Sequence, residues 1–106
     1  MSIKVNEENF DKEVLKSDIP VMTVFYADWL AACKLIDTFI EEIDAEYTGK
    51  IKVAMINVDD TPNLARKYYL HNFPTVFMFK NGEITWTTVG YRPKKVFYEM
   101  VNSNLQ

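Results

Sequence analysis

Residues 26–34 read Tyr-Ala-Asp-Trp-Leu-Ala-Ala-Cys-Lys, and they join two segments of opposite character. Before them, residues 21–27 (VMTVFYA) are β-rich and almost wholly apolar, the pattern of a central strand covered on both faces. After them, Ile36, Phe39, Ile40, Ile43 and Tyr47 recur at helical spacing, while Glu41, Glu42, Asp44 and Glu46 fall mostly on the opposite side. A long helix is therefore expected from about Leu30 to Tyr47, closed by Gly49. The quoted stretch is a strand-to-helix turn, and it carries the chain's one cysteine, Cys33.

Working outward, the alternation continues in both directions. Ile3-Lys4-Val5 reads as a short edge strand, and Asn6 as the N-cap of a helix that buries Phe10, Val14 and Leu15. Asp18-Ile19-Pro20 stops that helix. Residues 51–58 read as a second buried strand. Asp59-Asp60-Thr61-Pro62 then offers capping groups and a proline for a first helical position, opening a short helix through Ala65 and Tyr68. Residues 75–80 and 83–89 are strands joined by Asn81-Gly82, a strong hairpin signal. Pro93 opens a last helix with Val96, Phe97, Met100, Val101 and Leu105 facing inward. The order β-α-β-α-β-α-β-β-α predicts one α/β domain over residues 1–106. Its mixed central sheet should have about five strands, flanked on both faces by about four helices.

Composition narrows the function classes. A formal charge of −3 and no basic run beyond Lys94-Lys95 argue against a nucleic-acid partner. No apolar run approaches the roughly 20 residues of a membrane span, and the N-terminus lacks an apolar signal core, so a cytoplasmic protein is expected. One cysteine cannot form an intrachain disulfide. His71 is the sole histidine and has no second ligand at metal spacing, so neither metal nor cofactor is expected.

The element order, together with specific residues, resembles the thioredoxin family along nearly the whole chain. Phe25-Tyr26-Ala27-Asp28-Trp29 leads into Cys33-Lys34, and Glu46-Tyr47-Thr48-Gly49-Lys50 closes the long helix. Val58-Asp59, Phe73-Pro74-Thr75, Phe79-Lys80-Asn81-Gly82-Glu83 and Val89-Gly90 follow in the family's order and spacing. Family chemistry uses the pattern Trp-Cys-Gly-Pro-Cys-Lys. Its first cysteine sits at a helix N-terminus, where free N–H groups and the dipole favour a thiolate nucleophile. Its second resolves the mixed disulfide. Here Leu30 replaces the nucleophile, Ala31 and Ala32 replace glycine and proline, and Cys33 keeps the resolving position.

Other departures bear on the same chemistry. A buried aspartate of the family is matched by Val24, and a neighbouring lysine by Met55, which leaves an apolar floor. Cys33 should turn inward beneath the Pro74 loop with its thiol pKa raised, either an inert packing residue or a residual monothiol. The resemblance implies a cis bond before Pro74. It also implies a peptide-binding edge formed by Trp29, Leu30, Phe73, Pro74, Thr75, Gly90 and Tyr91, with Leu30, Trp29, Phe73 and Tyr91 as one exposed apolar patch. Asn72 stands at a family glycine, where a left-handed residue is expected, and Thr38 at a helix-kinking proline.

These features support a thioredoxin-like protein without a working dithiol site, lost or at most monothiol in activity, and with a redox-independent role in binding proteins or extended peptides. It would be a monomer or a weak homodimer through the patch. One alternative is a disulfide oxidoreductase of cell redox homeostasis whose nucleophile has been replaced. Another is a scaffold built or drifted for stability, and the sequence does not separate a natural homologue from an engineered one.

Overall fold

The computed structural model describes residues 2–105. β1 (Ile3–Lys4), β2 (Val21–Tyr26), β3 (Lys52–Asn57), β4 (Thr75–Lys80) and β5 (Glu83–Val89) form one sheet in the order β1-β3-β2-β4-β5. β3 runs parallel to both β1 and β2, and β4 runs antiparallel to both β2 and β5. The helices are α1 (Ala31–Glu46), α2 (Pro62–Lys67) and α3 (Lys94–Asn104), with a π-helical turn at Asp11–Leu15 and a 3₁₀ turn at Val58–Asp60. This is the α/β architecture of the thioredoxin fold.

β2 lies at the centre, and its period-two alternation feeds two cores. Met22 and Val24 join Val76 and Met78 on one face, under Ile36, Ile40 and Ile43 of α1 and Phe97, Met100 and Val101 of α3. Val21 and Phe25 join Phe77 and Phe79 on the other, under Phe10, Val14 and Leu64. That second face is aromatic: Phe25 meets Phe77 edge-on at 5.5 Å between centroids, and Phe10 meets Phe79 at 5.9 Å. Each fully buried large apolar side chain contributes roughly 1.5–3 kcal/mol, so the sheet is clamped from both sides.

Local expectations meet the structure with some corrections. Asn6 does cap, its side chain accepting from the N–H groups of Glu8 and Asn9, but the helix it opens shrinks to one π-helical turn in which Lys16 N–H reaches Asp11 O. Gly49 sits at φ +84 two residues past the α1 C-cap, Tyr47, whose carbonyl accepts from both Lys50 and Ile51. Asn72 is not left-handed; in that loop Tyr69 is, at φ +55. Leu105 is exposed and Asn104 is buried in its place, held by Thr85 Oγ1 at 2.6 Å and Met100 O at 2.8 Å. α3 ends at Asn104, so the apolar spacing does not carry to the next residue. The Asn81-Gly82 turn has both residues at positive φ, 54° and 79°, as a tight hairpin requires.

Candidate functional site

α1 starts at Ala31, with Leu30 at its N-cap in an extended conformation. Leu30 N–H donates to Ala27 O at 3.2 Å, and Cys33 N–H donates to Leu30 O at 3.2 Å, so the backbone turn is well formed. The leucine side chain has no acceptor to satisfy the orphan N–H groups of the first turn. Where a helix N-terminus would favour a thiolate, this chain presents hydrocarbon.

Cys33 lies in the first turn of α1 and is 4% exposed. Ala27 N–H donates to its Sγ at 3.5 Å. Burial pushes the thiol above its ordinary value, the Ala27 N–H opposes that, and Asp37 and Asp28 add to the rise. The thiol borders a cleft of about 390 Å³ lined also by Tyr26, Asp28, Lys34, Asp37 and Met55. Val24 and Met55 are register neighbours on β2 and β3, so the two apolar replacements stand side by side. The cleft's acids disturb one another. Burial, then Glu41 and Asp28, raise the Asp37 carboxyl against the pull of Lys34. Burial, then Asp28 and Asp60, raise the Tyr26 hydroxyl. The Pro74 loop does not line this cleft. Sequence reasoning missed Tyr26, Asp28 and Asp37. A signal existed for Asp37, which follows Cys33 by one helical turn and so shares its face.

The second part of the site is the loop entering β4. The Phe73–Pro74 peptide is cis, and Pro74 is buried. Pro74 O accepts from Gly90 N–H at 2.8 Å, and Thr75 Oγ1 donates to Asn72 O at 2.6 Å. Gly90 is required by its φ of +80 rather than by crowding, since a Cβ there would meet only the Arg92 guanidinium at 4.0 Å. Trp29 is 68% exposed, and its indole N–H donates to Asp59 Oδ2 at 3.1 Å. Tyr91 is exposed, with its ring 6.2 Å from that of Phe39. Leu30 and Phe73 are only half-buried, and Phe73 packs against the aromatic core. Trp29 and Tyr91 therefore stand out alone, while the other two members of the expected patch are partly withdrawn.

With that geometry in view, comparison with known proteins is decisive: a thioredoxin family model matches residues 1–103. The chain belongs to the thioredoxin family. The thioredoxin of Rickettsia bellii is 40% identical over 105 residues, covering 99% of this chain and 100% of that protein. That of Rickettsia felis is 38% identical over the same length and coverage. The chloroplastic thioredoxin M5 of Oryza sativa subsp. japonica is 40% identical over 100 residues, covering 94% of this chain but 58% of that longer protein. This chain carries a single cysteine, Cys33. Among the described residues, no helix is long and apolar enough to cross a membrane.

Proposed function

We propose that this thioredoxin-family chain does not run a dithiol–disulfide cycle and instead holds extended peptide segments at the edge bearing Trp29, Leu30, Phe73, Pro74, Thr75, Gly90 and Tyr91. The observation that carries the first half is the pairing of Leu30 at the α1 N-cap with a sole thiol that is 4% exposed. In the cycle, a thiolate attacks one sulfur of the substrate disulfide and expels the other as a thiolate. A second thiol then attacks the mixed disulfide and releases the reduced substrate. This chain lacks the exposed nucleophile, and Cys33 has no partner thiol.

The second half draws on the intact frame around Pro74, with the exposed Trp29 and Tyr91 as anchors. A large side chain at the centre of such a contact contributes ~2 kcal/mol. The proposed setting is a cytoplasm in which thiols stay reduced, with no nucleic acid, membrane, metal or cofactor involved. Carboxymethylated insulin B chain, whose cysteines are blocked, is the probe. Titrated against the chain under reducing conditions, it is expected to change the tryptophan fluorescence saturably, in Trp86→Phe as in the unaltered chain, to bind Cys33→Ser equally well, and to bind Leu30→Asp weakly. No binding, or binding indifferent to Leu30→Asp, would refute the peptide role.

The same preserved frame favours a second reading, a disulfide reductase whose nucleophile has been replaced. Full recovery of activity in Leu30→Cys would support it. The Val24 and Met55 replacements argue for partial recovery.

A further inference from the structure

The two edges of the sheet are built differently. β1 pairs through two residues only, and a very short edge strand offers little to a second chain. β5 stands last in the strand order, bonded on one side to β4, and among the described residues nothing pairs its other side. It is also the longest strand, seven residues reading Glu-Ile-Thr-Trp-Thr-Thr-Val. It has no proline and a charge only at its first position, Glu83. Ile84 and Val89 are 41% and 40% exposed, and Thr85 and Thr87 are exposed beside them. β-branched, uncharged and open is the composition that accepts another strand. A register irregularity between Met78 and Phe79 disturbs the end near Thr85 and leaves Trp86 to Val89 in regular register with β4.

We propose that two copies of this chain associate by antiparallel pairing of β5 with β5 about a two-fold axis near Thr87. Charge selects this occupant and this direction. The strand begins with Glu83 and runs out into Arg92, Lys94 and Lys95. Lys80 faces Glu83 across the hairpin on β4, but Glu83 is the charge on the open strand itself. Reversing one copy against the other brings each Glu83 toward a basic end, and does so twice, whereas a parallel arrangement sets like charge beside like. Lys94 already holds Glu42 at 2.9 Å, and among the described residues Arg92 donates only to the adjacent Tyr91 carbonyl while Lys95 makes no ion pair, so Arg92 and Lys95 are the cations left to reach across. An edge of this length buries less than a standard interface of roughly 1,200–2,000 Å², so the dimer is weak and reversible.

Sedimentation velocity from 5 µM to about 1 mM tests this. The 12.4 kDa chain is expected to shift from monomer to dimer across that range. Thr87→Lys and Val89→Lys, each checked for an unchanged melting temperature at low concentration, are expected to remain monomeric. Glu83→Arg and Arg92→Glu each weaken the dimer by roughly fivefold at low salt, and the double exchange restores it. Leu30→Asp leaves it untouched, which separates this dimer from any association at the Trp29–Pro74 edge. A monomer throughout would overturn the proposal, as would a dimer that Leu30→Asp dissolves or that both lysine variants retain.

Discussion

Cys33 and Asp37 lie one helical turn apart on α1 and share a cleft, so the charge of one is felt by the other. Burial and the nearby carboxylates hold Cys33 as a neutral thiol, and iodoacetamide at pH 7.5 should label it at least ~10-fold faster in denaturant than in the native chain, a protection that follows from burial. Fast native labelling, followed by mass spectrometry, would reveal an exposed thiolate. Asp37 is shifted in the same direction, but unlike the thiol it is ionised at neutral pH. Its folded carboxyl binds a proton more readily than in the unfolded chain, so ionisation at neutral pH costs stability, and the cost disappears below the ordinary value of 3.8. Because Asp37 is exposed, water screens most of this. Asp37→Asn should stabilise the chain by about 0.3 kcal/mol at pH 7 and by nothing near pH 3, read from urea denaturation at both pH values. The burial of Cys33 was legible in sequence from its residue type. The cleft was not, because Met55 reaches it through the register of β3 against β2, a contact between distant residues.

At the scale of elements, α1 carries a leucine where a capping side chain belongs. Leu30→Asp should supply a cap worth ~1 kcal/mol while forfeiting ~1 kcal/mol of half-buried hydrocarbon, which leaves the melting temperature within a few degrees. A large fall in calorimetry would show Leu30 to be a core residue. The β4–β5 hairpin is less forgiving. Gly82 is at φ +79, and a Cβ there would lie 3.1 Å from the Leu15 carbonyl oxygen, so Gly82→Ala should cost ~1–2 kcal/mol in chemical denaturation. The Asn-Gly signal placed both hairpin strands correctly because the turn's chemistry is local. The segment after Asn6 was over-extended as a helix because Phe10, Val14 and Leu15 have the right spacing, while Lys16 N–H closing onto Asp11 O makes a single wide turn. Leu105 failed for the same kind of reason, one residue beyond the end of α3.

Across the whole molecule, several groups are held protonated by the fold. Burial first of all raises Cys33 from 9.0 and Tyr26 and Tyr68 from 10.0, and hydrogen bonding to Glu42 raises Lys94 from 10.5. In each case the folded chain keeps its proton to higher pH than the unfolded chain, so stability is level through neutrality and falls as pH rises past about 9. The urea midpoint should hold from pH 7 to 8.5 and decline toward pH 11, with Cys33→Ala losing the earliest part of the decline. Strand order was not legible from local patterns, which cannot say that β2 sits between β3 and β4. The apolar run of residues 21–27 marked that segment as a central strand and no more. The loss of the second cysteine was legible outright. The partial withdrawal of Leu30 and Phe73 from the surface was not, since it depends on how the β4 entry loop packs against the aromatic core.

Insulin reduction driven by dithiothreitol and followed as turbidity is the most direct test of whether this chain has left the dithiol cycle. The unaltered chain should match the uncatalysed background, and Leu30→Cys should rise above it while staying below a thioredoxin with both cysteines. Turnover by the unaltered chain comparable to such a thioredoxin would contradict the loss of the cycle, whatever the geometry of Leu30 and Cys33.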